Sequence, residues 1–122
     1  MKTVMVVDDS RIMRNIVKNV FSQLKIPVNF LEAADGARAF QLLTDNKVNL
    51  ILLDWNMPNL SGIDFLKRVR TIDAYKDIPI VMVTSEASKL NVVEAVKAGV
   101  TAYITKPIQD KVFMEKLSQI VF

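Results

Sequence analysis

The sequence predicts an α/β fold in which five strands, each followed by a helix, form one parallel sheet with helices on both faces. Two observations carry this. Short apolar runs bounded by turn residues alternate with stretches whose apolar residues recur at helical spacing. The links between them are short, and regular strand–helix alternation with short links argues for right-handed crossovers and parallel pairing. The length agrees, since 122 residues, 51% of them hydrophobic, suit a single core. No linker, low-complexity tract or second domain is read along the chain.

The first strand is expected at Thr3 to Val7. From Arg11 the period changes: Ile12, Met13, Ile16, Val17, Val20, Phe21 and Leu24 mark an amphipathic helix that stops before Pro27. Val28 to Ala33 reads as the second strand. Asp35-Gly36 is a turn, and Ala39, Phe40 and Leu43 mark the second helix. Val48 to Leu53 is the central strand, whose aliphatic residues Leu50 to Leu53 run straight into Asp54. After the Pro58 turn, Ser61-Gly62 leads into a third helix with Ile63, Leu66 and Val69 on its inner side. Ile78 to Val83 is the fourth strand, with Pro79 near its start, where a proline is tolerated. Leu90, Val93 and Val96 mark the fourth helix, ended by Gly99. Thr101 to Thr105 is the fifth strand, broken by Lys106-Pro107. Val112, Phe113, Leu117 and Ile120 mark a closing helix that runs to the C-terminus.

Composition removes several chemistries. The chain has no cysteine and no histidine. That excludes disulfides, thiolate catalysis, a histidine general base, a Ser-His-Asp triad and most zinc sites. The net charge of +3 is too small and too scattered to argue for nucleic acid. The first apolar stretch breaks at Asp8-Asp9, too early for a secretory signal. No apolar run approaches the roughly 20 residues that span a bilayer. A cytoplasmic location fits the lack of cysteine.

In open parallel sheets, ligands bind beyond the carboxyl ends of the strands. Strand one ends in Asp8-Asp9, strand three in Asp54, strand four in Thr84, and strand five just before Lys106. Three carboxylates, a hydroxyl and an ammonium therefore fall on one edge of the sheet. Taken singly, each has an ordinary reading. Asp8 or Asp9 could cap the first helix, Thr84 could be a plain β-branched strand residue, and Lys106 a solvated loop lysine. Asp54 is harder to explain away, because an acid at the end of so apolar a strand is costly unless it faces a cleft. Clustered acids coexist in ionised form when a cation lies between them. Oxygen donors without His or Cys favour Mg²⁺. Such a site could receive a phosphoryl group, with an aspartate as covalent acceptor.

With those residues in place, the chain resembles the receiver domain of bacterial two-component response regulators, and within them the stand-alone chemotaxis branch. The anchors are Val6-Val7-Asp8-Asp9-Ser10, Asp54-Trp55-Asn56-Met57-Pro58-Asn59 with Gly62, Val83-Thr84 with Glu86, and Lys106-Pro107. The resemblance covers essentially the whole chain, residues 1–122, as one receiver domain with no output domain. That family is itself a standard example of the flavodoxin-like strand order 2-1-3-4-5, so the order comes from the resemblance.

The resemblance implies that Asp54 is the phosphoacceptor. It implies that Asp9, Asp54 and the backbone carbonyl of Asn56 bind Mg²⁺, with Asp8 acting largely through water. Lys106 would hold a phosphoryl oxygen and Thr84 another. Lys106-Pro107 would be a cis peptide. Asn56 and Glu86 would flank the path of the hydrolytic water and set a short acyl-phosphate lifetime. Tyr103 would be the switch residue. The partner face would be made by helix four, strand five and helix five, including Ala87, Lys89, Leu90, Val93, Tyr103, Lys106 and Lys116. Lys89 and Lys116 would give it a basic rim suited to an acidic peptide. The implied partners are a chemotaxis-type histidine kinase as donor and a flagellar motor switch protein as output, with room for a phosphatase; a monomer is expected. Such a protein is a signalling switch and not an enzyme in the ordinary sense.

Arg11, Arg14 and Lys18 form a second basic stripe on the first helix, read as a solvated face. A phosphorelay intermediate that hands its phosphoryl group to a histidine phosphotransfer protein is the alternative. A Mg²⁺ phosphatase or nucleotide enzyme is disfavoured. The first strand-to-helix turn lacks a glycine-rich phosphate loop, and no second acid follows two residues after Asp54. A phosphorylation-independent interaction domain is disfavoured by the intact set Asp8, Asp9, Asp54, Thr84 and Lys106.

Overall fold

The computed structural model describes residues 1–120. Its elements, in chain order, are β1 (Lys2–Val7), α1 (Arg11–Gln23), β2 (Val28–Ala33), α2 (Gly36–Asp45), β3 (Leu50–Leu53), α3 (Gly62–Thr71), β4 (Ile80–Thr84), α4 (Lys89–Ala98), β5 (Ala102–Thr105) and α5 (Asp110–Ser118). The strands form one parallel sheet in the order β2-β1-β3-β4-β5. This is the expected flavodoxin-like arrangement.

Alternation along the strands sends successive side chains to opposite faces and so builds two cores. Met5, Val7, Ile51, Leu53, Ile80 and Met82 pack under α2, α3 and α4. Val4, Val6, Leu50, Leu52, Val81 and Val83 pack under α1 and α5, around Phe21 and Phe113. Phe21 meets Phe113 edge-on, with ring centroids 6.4 Å apart. The register sets the strand tips level: Val7 lies beside both Ala33 and Leu53, and Thr84 beside Thr105.

Side chains cap the helices where the sequence offers them. Ser10, Asp35, Ser61 and Ser88 accept from Met13, Arg38, Asp64 and Asn91 backbone N–H groups at the starts of α1 to α4. Gly99 ends α4 in the left-handed conformation at φ 96°. The Lys106–Pro107 peptide is cis.

Several boundaries differ from the sequence reading, each for a local reason. Leu24 is the C-cap of α1 and not part of it. β3 begins at Leu50, not Val48, because Asn49 ties itself to Thr3 through both its amide and its side chain. β4 begins at Ile80, since Pro79 has no N–H to donate and the Ile78 amide turns back to Tyr75. Leu90, Val93 and Val96 fall in α4 as their spacing marks it, and they are 82%, 44% and 62% exposed, in keeping with the expected partner face for Leu90 and Val93; Ala95 is the residue that α4 buries. α5 ends at Ser118 and Ile120 lies beyond it, its amide closing on the Leu117 carbonyl. The expected continuation of this helix to the C-terminus falls on residues 121–122, outside the described residues.

Candidate functional site

Asp54 sits one residue past β3, and its amide donates to the Val7 carbonyl at 2.9 Å, so the acid continues the ladder at the sheet's edge. Asp8 does the same one residue past β1, donating to the Ala33 carbonyl at 3.0 Å. Both carboxylates are buried, while Asp9 is exposed at the rim. Carboxylate oxygens of Asp8, Asp9 and Asp54 lie within 4.8 Å of one another. Lys106, one residue past β5, reaches back over the edge. Its ammonium donates to Asp8 Oδ2 at 3.0 Å and to Asp54 Oδ2 at 3.3 Å.

The remaining oxygens are fixed locally. Trp55 N–H donates to Asp54 Oδ1 at 2.7 Å, and Ser10 N–H to Asp8 Oδ1 at 2.9 Å. Burial pushes the Asp8 pKa up; the Ser10 amide and Lys106 oppose this without cancelling it, and the charge of Asp54 adds to it. Burial works against the Lys106 ammonium, but hydrogen bonds and charge from Asp8 and Asp54 outweigh it and raise its pKa. An all-oxygen donor set with two buried carboxylates suits a hard divalent ion such as Mg²⁺, which receiver domains bind at an acidic pocket of this kind.

Backbone geometry holds Asp54 in place. The Gly62 N–H donates to the Trp55 carbonyl at 2.8 Å. A Cβ at Gly62 would lie 1.9 Å from the Asp54 carbonyl oxygen and 2.9 Å from Trp55 Cα. Only glycine allows α3 to begin so close behind the acid. Asn59, at φ 68°, donates from its side chain to Asp35 Oδ2 at 3.0 Å, tying the loop after Asp54 to the start of α2.

Thr84 is fully buried at the end of β4, and its Oγ1 accepts from the Glu86 amide at 3.3 Å. Asn56 Nδ2 donates to Glu86 Oε1 at 2.7 Å, joining the two residues expected to flank the hydrolytic water. The Tyr103 hydroxyl donates to the Glu86 carbonyl. Burial, and then the negative charges of Glu86 and Asp54, raise the tyrosine's pKa.

The expected partner face divides into two grooves. Tyr103, Lys106, Val92, Val112 and Lys116 line one, of about 490 Å³. Leu90 and Val93 line another, of about 580 Å³, with Lys67, Glu94 and Lys97. Ala87 and Lys89 are exposed at the start of α4. The Lys116 ammonium donates to the Tyr103 carbonyl at 2.7 Å. On α1, Arg14 and Lys18 pair with Glu32 of β2 at 3.1 and 3.2 Å, leaving Arg11 exposed.

Sequence reasoning did not single out Asn91, whose Nδ2 donates to Glu86 Oε2 at 3.0 Å. An asparagine in the first turn of a helix carries no mark that it reaches back across a loop. It also missed that Arg14 donates to the Asp8 backbone carbonyl at 2.6 Å, bracing the acidic tip of β1.

Comparison with known proteins places this geometry. The family model described as the response regulator receiver domain matches residues 4–118. A chemotaxis protein CheY homolog of Campylobacter jejuni is 45% identical, over 96% of this chain and 90% of that protein. Chemotaxis protein CheY1 of Helicobacter pylori is 44% identical, over 96% of this chain and 94% of that protein. Among solved structures, chemotaxis protein CheY4 of Vibrio cholerae superposes with a TM-score of 0.88 at 30% identity, covering 99% of both chains. The Mn²⁺-bound form of response regulator Rcp1 superposes with a TM-score of 0.85 at 25% identity, covering 97% of this chain and 91% of that one. Among the described residues no helix is long and apolar enough to cross a membrane.

Proposed function

Because the chain belongs to the response regulator receiver domain family, we propose that it is a phosphorylation-controlled signalling switch with Asp54 as its phosphoacceptor. The observation that carries this is the reach of Lys106 to both Asp8 and Asp54 across the edge of the sheet, with Asp9 beside them. In the transfer, an Asp54 carboxylate oxygen bonds to the donor's phosphorus. The bond from phosphorus to the donor imidazole nitrogen breaks, and the electron pair stays on that nitrogen. The product is an acyl phosphate.

Asp8, Asp9, Asp54 and the Asn56 carbonyl are the groups that would hold Mg²⁺, which when bound offsets the charge of the phosphoryl oxygens. Lys106 serves a phosphoryl oxygen by moving from its present carboxylate partners. Thr84 offers its hydroxyl to another. Asn56 and Glu86 set how fast the acyl phosphate is hydrolysed.

The chain's relatives are named as chemotaxis proteins. By that kinship the donor is a chemotaxis-type histidine kinase and the output a flagellar motor switch protein, received on α4, β5 and α5 in a phosphorylation-dependent way.

Trp55 tests the site directly, because it is the single tryptophan and adjoins the acceptor. Its fluorescence should change on adding Mg²⁺ and change again, saturably, on adding acetyl phosphate. The second change should vanish in Asp54→Asn. Fluorescence indifferent to both additions would remove the phosphoacceptor reading. Phosphorylated protein with no gain in affinity for a motor switch peptide would shift the function to a relay.

A further inference from the structure

We propose that Asn91 is a positioning residue for acyl-phosphate hydrolysis: from the first turn of α4 it holds the Glu86 carboxylate against Asn56 at the mouth of the acceptor pocket. The inference rests on the phosphoacceptor reading of Asp54 and adds to it a residue that touches neither the acceptor nor the metal ligands' side chains.

Glu86 is held at four points. Its amide donates to Thr84 Oγ1 and its carbonyl accepts from the Tyr103 hydroxyl. Its two carboxylate oxygens each accept one side-chain amide, Oε1 from Asn56 at 2.7 Å and Oε2 from Asn91 at 3.0 Å. A carboxylate gripped at one oxygen still swings about its last torsion. Gripped at both, it is fixed. Each oxygen keeps acceptor capacity for a water molecule. The pair Asn56–Glu86 can therefore orient water at the pocket mouth only while Asn91 holds the far oxygen.

In hydrolysis, the water oxygen bonds to phosphorus. The bond from phosphorus to the Asp54 oxygen breaks, its electron pair returning to the carboxylate. The water protons leave with inorganic phosphate. Orienting that water is an entropic contribution, lost when its acceptor swings free.

The side chain of Asn91 can be changed without unmaking the helix. The Ser88 cap of α4 uses the Asn91 backbone N–H, at 3.2 Å, and not its side chain. Asn91→Ala removes the donor. Asn91→Asp keeps the shape, removes the donor and sets a like charge against Glu86. Asn91→Gln keeps a donor on a longer stem.

The full-length chain is phosphorylated with acetyl phosphate and Mg²⁺, the donor is removed, and decay is followed by Trp55 fluorescence and by phosphate release. Asn91→Ala should slow hydrolysis about threefold to tenfold, the kinetic equivalent of one lost hydrogen bond. Asn91→Asp should slow it at least as much, and Asn91→Gln should recover part of the rate. In a Glu86→Ala background, Asn91→Ala should have no further effect. Thermal melting establishes that each variant is folded; should Asn91→Ala not fold, Asn91→Asp carries the comparison. Decay at the parental rate in folded Asn91 variants, or equal slowing with and without Glu86, overturns the inference and leaves the acceptor reading standing. A parent protein that takes up no phosphoryl group overturns both.

Discussion

α3 and α4 lie side by side on the same face of the sheet, yet they are seated by different forces. α3 buries Gly62, Ile63, Phe65, Leu66 and Val69. Phe65 also packs on Phe40, ring centroids 4.7 Å apart. α4 buries Ala95 alone among the described residues and leaves Leu90, Val93 and Val96 in solvent. Ala98 adds a partly buried contact with the core, and polar ties supplement these few apolar contacts. Asn91 donates to Glu86 at one end, and Arg70 donates to the Gly99 carbonyl at 2.9 Å at the other. Apolar burial contributes about 25 cal/mol per Å² and is insensitive to direction, whereas a few hydrogen bonds can be exchanged at little net cost. The helix behind Asp54 is thus seated firmly, and the helix beside Tyr103 is seated weakly.

This contrast is sharpest in unfolding experiments. Phe65→Ala should cost about 3–5 kcal/mol, the range for emptying a buried aromatic site, read as a lowered urea midpoint with unchanged slope. Gly62→Ala should cost about 3 kcal/mol, the upper part of the range for overpacking, because the added carbon meets backbone that cannot yield. It should also impair phosphorylation by acetyl phosphate, since what moves is the Asp54 peptide. Leu90→Ala on α4 should change stability by no more than about 0.5 kcal/mol. A Leu90→Ala cost comparable to that of Phe65→Ala would mean that α4 is seated like α3, and the contrast would fail.

The same contrast marks what the sequence could and could not reveal. Elements with a buried face announce themselves through spacing: Ile63, Leu66 and Val69 lie on the inner side of α3, where the period puts them. α4 carries an apolar period as well, but its Leu90, Val93 and Val96 point outward. Periodicity reports that a helix has an apolar stripe, not which surface covers it. The acids at the strand tips were legible because alternation alone brings Asp8, Asp54 and Lys106 to one edge, and the register sets Val7 and Leu53 side by side. Strand starts were less legible. Asn49 and Pro79 decide them by hydrogen bonds made or withheld, which no apolar pattern records. Asn91 lay deepest, because its partner Glu86 belongs to the preceding loop and the bond depends on where the helix cap at Ser88 turns the chain.

How weakly a polar tether holds a helix can be measured on α1, which has both kinds of attachment. It buries Val17, Val20 and Phe21, and it is also tied to β2 through Arg14 and Lys18 on Glu32. Burial is the largest single influence on the Glu32 carboxylate and disfavours it, but hydrogen bonds and charge from Lys18 and Arg14 together outweigh it and lower its pKa. A folded-state pKa below the unfolded value means that stability is fully present above the ordinary value of 4.5 and is lost as pH falls through the folded-state pKa. The carboxylate is 36% exposed, so screening keeps the contribution to about 0.5 kcal/mol. Glu32→Gln should therefore lower stability by about that amount at neutral pH, less in high salt, and match the parent once Glu32 is protonated. Because parent and variant share every other titrating group, including Asp8, the difference between their curves isolates this tether. A larger, salt-independent loss at neutral pH would show that polar ties can seat a helix firmly, and α4 could then no longer be read as the weakly seated neighbour of α3.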